Sequence, residues 1–352
     1  MNRLSEDIGH RLSGLARLYH PTTFRQKGLL WSVLVLGGSL LLLLAMIGWY
    51  WSIEPDPLDV SSVVTQCAGE KGATITGAAY TCTLIAIGDT LLHKHGGYLS
   101  NDLMPPGVWL DNMPNWEFGV LVTLRDASAA LRNHLSRSQS QSVEDADLSR
   151  AEPQFNFQND SWIFPTTEGE YQSGLRSLQR YLARLIDPDQ QQAQFYARAD
   201  NLRQYLEIVE KRLGSLSQRL SASVGQLRVN TDLAGDVAAR QATETPGALR
   251  VKTPWLQIDD VFYEARGTTW ALRAVLVAVE QDFEAVLVKK NALVSLRQII
   301  RELDDTQQPI LSPVVLNGGG FGLFANYSLT MANYIARANA AVLELRSLLQ
   351  QG

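Results

Sequence analysis

The chain has 352 residues, of which 45% are hydrophobic and 19% charged, and its formal net charge is −5 at pH 7. This length suits one large or two ordinary domains, and the composition is globular but poor in charge, as a membrane segment would make it. The balance does not favour nucleic-acid binding, which needs a basic face; two cysteines, Cys67 and Cys82, are too few for a disulfide scaffold.

Residues 1–28 read as a short tail with Arg3, Arg11, Arg17, Arg25 and Lys27 set against Glu6 and Asp7. Residues 29–53, LLWSVLVLGGSLLLLLAMIGWYWSI, carry no charge. About 20 apolar residues cross a bilayer core, so this stretch predicts a transmembrane helix. Trp31 at one end and Trp49, Tyr50 and Trp51 at the other stand where an aromatic belt would place them. A cleaved signal peptide has a shorter apolar core, about 7–15 residues, and a small-residue cleavage site. The run here ends in WYWSIEPDP, which offers none, so an uncleaved anchor is expected. The basic tail places the N-terminus in the cytoplasm by the positive-inside rule. Residues 54–352 then form an outer domain, periplasmic if the cell is Gram-negative, with 26 basic and 34 acidic residues.

Cys67 and Cys82 fall on that outer side, where a disulfide is permitted. On one continuous helix they would stand more than about 20 Å apart, too far for a bridge. A bridge therefore requires a turn, which Gly69, Gly72 and Gly77 could supply.

Beyond the anchor the dominant signal is helical. Apolar residues step by three and four at Tyr80–Leu91, Leu121–Leu135, Tyr171–Leu185, Ala199–Leu220 and Phe324–Leu349. A strict seven-residue series runs Ile258, Ala265, Leu272, Val279, Val286, Leu293, Ile300. No alternating run is long enough to predict a strand. The expected fold is all-α: a transmembrane helix followed by an elongated helical bundle with heptad-like seams. Residues 190–227 and 258–304 predict helices of roughly 50–70 Å at 1.5 Å per residue, with Gly267 and Gly214-Ser215 as candidate bends. The seams pair as hairpins within one chain, favoured by short connections such as residues 186–190, or as a coiled coil between chains in a homo-oligomer.

Three connections are longer. Residues 136–168 are polar first, SRSQSQSVEDADLSRAE, with a helical turn or two over 144–152, and aromatic later; Phe155, Phe157, Trp162 and Phe164 are expected to seek burial. Residues 228–254 read as disordered, and residues 305–323 contain the glycine run.

The run NGGGFG, with Gly318, Gly319, Gly320 and Gly322, looks like a phosphate-cradling loop. A P-loop needs Lys and Ser/Thr after its last glycine. Here Leu323, Phe324 and Ala325 follow, and no βαβ unit precedes. The reading is a glycine hinge feeding a small-residue helix. The segment LMPPGVWLDNMPNWEFG, 103–119, is the candidate partner-contact surface through Trp109, Asp111, Asn112 and Trp116, with Trp162 added from the next loop. The competing reading is a plug closing one end of the bundle, with Asn115 capping the following helix and Glu117 in its first turn. Asp89, His93 and His95 fall short of a metal site, which wants three or four supported ligands; LLHKHGG reads as a helix end. No GxSxG, HExxH or nucleophilic-cysteine motif occurs. Acid pairs such as Glu168 with Glu170 and Asp259 with Asp260 are unremarkable among so many acids.

The segments PPGVWLDNMPNWEFG, SRSQSQS and NGGGFGLFANYSLTMANYIARANAA, together with the N-terminal anchor, resemble a proteobacterial single-pass inner-membrane family known only as a domain of unknown function. The resemblance implies a Gram-negative inner membrane and carries no activity, substrate or catalytic residue. The expected role is a non-enzymatic, membrane-anchored scaffold or adaptor of the cell envelope. It would have protein partners, no cofactor, no metal and no nucleic acid. The alternatives are a periplasmic hydrolase of peptidoglycan or lipid, and a lipid- or glycan-binding module with a groove lined by Phe155, Trp162 and Phe164.

Overall fold

A computed structural model describes residues 19–20, 26–137, 143–187, 189, 193–229, 248–310, 312, 314–320 and 322–351. The SRSQSQS tract, the centre of 228–254, Phe321 and parts of 186–192 lie wholly or partly outside the described residues. The chain is all-α: among the described residues there are eleven α-helices and one two-stranded sheet. It divides into two units, Met1–Ile53 with Leu103–Leu110, and Glu54–Asp102 with Asp111–Gly352.

The first unit holds α1, Leu29–Trp51, which is long and apolar enough to cross a membrane. Its leucines and valines point outward, and Gly48 is its one buried residue. A Cβ at Gly48 would lie 3.4 Å from Pro106 and 3.7 Å from Leu110, so segment 103–110 packs on the last turns of α1.

In the second unit α2 (Val60–Gly72) and α3 (Ala78–His93) form a hairpin. Asp59 caps α2 through the Ser61 N–H. Gly69 and Gly77 turn the chain at φ 69° and 93°, conformations that cost glycine little. The reversal brings Cys67 and Cys82 to a Cα–Cα distance of 5.9 Å, and a disulfide joins them. Next come α4 (Asn112–Ala130), extended by a π turn at Leu131–Leu135, then α5 (Leu148–Phe155) and α6 (Thr167–Ile186). Thr166 caps α6 by accepting from the Gly169 N–H, and Glu168 and Glu170 occupy its first turn, where the helix dipole favours acids. Helix α7 spans Ala199–Ser221 and is followed by the antiparallel strands β1 (Gln226–Val229) and β2 (Ala248–Val251). Helices α8 (Ile258–Asp282), α9 (Glu284–Lys289), α10 (Leu293–Asp305) and α11 (Tyr327–Gln350) complete the unit.

Helices α4 and α8 run parallel and close together. A Cβ on Gly119 would lie 2.1 Å from the Glu264 carbonyl oxygen, and one on Gly267 would lie 2.0 Å from that of Trp116. Gly267 therefore serves close approach and does not bend α8. Around this pair α3, α7 and α10 run opposite to α8, while α11 runs opposite to α7 and α10. The contacts that fix these directions are Asp282 with Tyr80, Arg219 with Glu264, Thr306 with Thr269, and Ser217 with Ala332. One end of the unit thus gathers the starts of α4, α6, α8 and α11 and the finishes of α3, α7 and α10. It is called the proximal end here, because Glu54, the first residue of the unit, meets Arg266 near it.

Two expectations are corrected. The seven-residue series does not make one helix of 258–304. Ile258, Ala265, Leu272 and Val279 are buried along α8, which is about 37 Å long at 1.5 Å per residue. The chain then breaks at Phe283 and turns at Asn291, φ 52°, so that Leu293 and Ile300 lie on the antiparallel α10. Buried Phe283 packs edge-on against Phe195, with ring centroids 5.8 Å apart, and anchors the break. Likewise α7 begins only at Ala199. The second correction is the sheet. Residues 226–229 and 248–251 pair, Gln226 with Val251 through Val229 with Ala248, inside a stretch read as disordered or helical.

Candidate functional site

Segment 103–119 is divided by its own chemistry. Leu103, Met104, Val108 and Trp109 are exposed in the first unit, while Pro106 and Gly107 are buried. Asp111, the first residue back in the second unit, accepts from the Asn112 N–H and starts α4. Asn115 is not the cap: it lies inside α4 and donates to Asp260 Oδ1 at 2.8 Å. Trp116 is fully buried, its ring centroid 5.2 Å from that of Trp270. It belongs to the core and not to a contact surface, whereas Trp109 and Trp162, at 59% and 58% exposure, face outward.

The least expected residue of this segment is Glu117. It is fully buried and forms an ion pair with Lys94, whose side chain is equally enclosed. Its carboxylate also accepts the N–H groups of Leu99 and Ser100 at 2.8 and 2.9 Å and the Ser100 hydroxyl at 2.5 Å. Burial pushes the Glu117 carboxyl above its ordinary range, and Lys94 pulls it back. Lys94 therefore does more than end α3; with Glu117 it fixes the loop that leads into 103–110. Nearby, Asn101 donates to the Ser161 carbonyl and to Glu168, which holds the 156–166 loop at the same end.

A second buried charge lies in α8. The Arg266 guanidinium holds the Glu54 carboxylate through Nε at 2.8 Å and Nη2 at 2.6 Å, and donates to the Thr306 and Gln308 carbonyls. Trp270 Nε1 donates to the Asp56 carbonyl and Arg273 to that of Leu58, so residues 54–58 lie along α8. Arg266 also lines a cleft of about 260 Å³ together with Phe262, Pro309, Ile310, Tyr327, Met331 and Tyr334. With the guanidinium already occupied, the cleft offers apolar and aromatic walls and little charge to recognise an anion. It suits an apolar group, with Asp305 the carboxylate among its lining residues.

The glycine run forms the tip of a narrow hairpin. Gly318 N–H donates to the Ala325 carbonyl and Tyr327 N–H to that of Leu316. Asn317 pairs with Asn326, whose side chain caps α11 by accepting from the Leu329 N–H at 2.9 Å. A Cβ on Gly318 would meet the Phe324 carbonyl oxygen at 2.3 Å, and Gly320 sits at φ 79°; Gly319 and Gly322 face open space or ordinary contact. Leu323 and Phe324 at the tip are exposed.

A family model matches residues 24–352 of this chain. The chain belongs to the family described as an uncharacterized protein conserved in bacteria, DUF2333. No curated protein and no solved structure matches it.

In this member of the family the remaining candidates are placed as follows. Asp89 and His93 pair on the exposed face of α3, and among the described residues no group of three or more His, Cys, Asp or Glu could hold a metal ion. Glu168 and Glu170, like Asp259 and Asp260, stand in first helical turns, α6 and α8, where acids favour the helix dipole. Phe155 is buried on Gly174 and Tyr171, but Trp162 and Phe164 are exposed, so the three do not line one groove. Sequence reasoning placed Glu117 in a first helical turn, whereas it lies deeper in α4 and is buried, and it did not single out Arg266. For Glu117 the available signal was a single charge inside the otherwise apolar stretch WEFGVLV; for Arg266, in EARGTTWAL beside Glu264, the signal was weaker.

Proposed function

We propose that the chain is a membrane-anchored helical scaffold or adaptor of the bacterial cell envelope. Helix α1 holds it in the inner membrane, the N-terminus is cytoplasmic, and residues 54–352 work on the periplasmic side. The observation that carries this reading is α1 itself. It has 23 residues with apolar side chains turned outward and Gly48 alone buried, a surface that water disfavours and a bilayer accepts. The Cys67–Cys82 disulfide supports an oxidising compartment for the second unit. Partner proteins would meet exposed Asp111 or a helical face of the second unit.

The test is alkaline extraction of membranes, protease treatment of spheroplasts and in-cell crosslinking of the full chain. An intact-length protein that resists extraction, loses its C-terminal unit to external protease and captures envelope proteins is expected. Release by alkali, or a mature chain shortened by the apolar segment, would overturn the anchor.

A further inference from the structure

The second unit leaves its large apolar side chains in solvent unevenly. Among its described residues the exposed tryptophan and phenylalanine side chains are Trp162, Phe164, Trp255 and Phe324, at 58%, 93%, 79% and 73% exposure. All four come from the proximal end. Trp162 and Phe164 sit in the loop held to Asn101 ahead of α6, and Trp255 in the turn that opens α8. Phe324 sits at the tip of the glycine hairpin ahead of α11. Leu256 and Leu323 beside them are 76% and 101% exposed. Aliphatic residues exposed singly need no explanation, but aromatic side chains concentrated on three separate loop tips at one end do.

The chain itself indicates what covers them. Glu54 enters the unit near this end and follows directly on the apolar helix α1. The chain leaves the unit again after Asp102 for segment 103–110, which packs on Gly48 of α1 and exposes Met104 and Trp109. Tryptophan and phenylalanine on short loops are the side chains that settle at the boundary between headgroups and acyl chains. Arg250 and Lys252, exposed just before Trp255, add cations at phosphate level.

We propose that the proximal end is a bilayer-docking face, whose tips at 162–164, 255–256 and 323–324 enter the surface of the phospholipid membrane that α1 spans. The proposal rests on the reading of α1 as a membrane span. The glycine run then has a purpose: a narrow hairpin ahead of α11 presents the exposed Leu323 and Phe324.

The full chain, reconstituted in phosphatidylethanolamine–phosphatidylglycerol vesicles, would carry an environment-sensitive fluorophore at one introduced cysteine: Phe164→Cys, Leu323→Cys, Val288→Cys at the opposite end, or Leu40→Cys in α1. Doxyl-labelled lipid is expected to quench the probes at 164, 323 and 40 at least twofold and to leave 288 unchanged. Quenching at 40 but not at 164 and 323 would overturn the docking face and leave the anchor standing. Absence of quenching at 40 would overturn both. Probes at 164 and 323 that are shielded from aqueous iodide yet unquenched by lipid would place a second copy over this end, and would overturn the proposal as well.

Discussion

Asp282, the last residue of α8, accepts the Tyr80 N–H at 2.7 Å across a sequence separation of 202 residues. Its other oxygen accepts the Gly77 N–H, also at 2.7 Å. Gly77 has no side chain to cap α3, so a carboxylate from another helix satisfies the orphan donors of that N-terminus. Burial pushes the Asp282 carboxyl up to about 6, although these N–H groups pull it down. A raised folded value for an acid means that the folded state binds more protons between about pH 4 and 6. The contribution of Asp282 to stability is therefore highest below about pH 4 and falls as pH rises to about 6, by roughly 1–2 kcal/mol after solvent screening. Thermal melts of the wild type and Asp282→Asn from pH 4 to 7 should show the wild type losing more of its Tm across that window. A wild-type Tm that rises relative to that of Asp282→Asn with rising pH would contradict the assignment.

The Lys94–Glu117 pair makes a sharper energetic statement because neither side chain reaches solvent. Removing one partner strands the other charge. Lys94→Met or Glu117→Gln should each destabilise the chain by about 3–5 kcal/mol. The double variant Lys94→Met/Glu117→Gln should cost less than the sum of the two singles, although the N–H groups of Leu99 and Ser100 then share one acceptor oxygen. A denaturant-unfolding double-mutant cycle reads this coupling. Additive singles would show that the pair is not a unit. The same variants should loosen residues 94–101 in hydrogen exchange before the rest of the core.

The Cys67–Cys82 disulfide closes a loop with a sequence separation of 15, and constraint of the unfolded chain over such a loop is worth about 3 kcal/mol. Cys67→Ser/Cys82→Ser should lower stability by that order, and reducing agent should bring the wild type down to the same level. Alkylation-shift gels on membranes taken directly from cells should find the pair oxidised. Free thiols there would argue that the second unit faces the cytoplasm.

Much of the fold was legible in the sequence because its signals are local. The apolar run of α1 and the three-four spacing of α6, α7 and α11 depend on side chains a turn apart. What was not legible depends on distant partners. Nothing near Phe283 announces that it will pack on Phe195 and end α8, so the seven-residue series read as one long helix. Trp116 looked like an exposed anchor because its segment is rich in proline and aromatics. Its burial is set by Gly267, some 150 residues later, which lets α8 come within contact of it. Glu117 and Arg266 became meaningful only once Lys94 and Glu54 were brought to them. The exposed tips at the proximal end come from three loops whose convergence only the helix directions determine.

The crossing of α4 and α8 gives the strictest steric prediction. Alanine at Gly267 or Gly119 would drive a methyl group to about 2 Å from a carbonyl oxygen of the facing helix. Backbone cannot yield there as a flexible side chain would, so the helices must separate. Trp116 and Trp270 would then lose their packing. Each substitution should cost at least the roughly 1–3 kcal/mol typical of overpacked cores, despite alanine's better helix propensity. Gly214 in α7 is the control, since a Cβ there meets only Asn339 Nδ2 at 3.5 Å. Gly214→Ala should be neutral or stabilise by up to about 1 kcal/mol. Urea unfolding of the three variants separates the effects. If Gly267→Ala and Gly214→Ala shift the midpoint alike, the close approach of α4 and α8 is wrong.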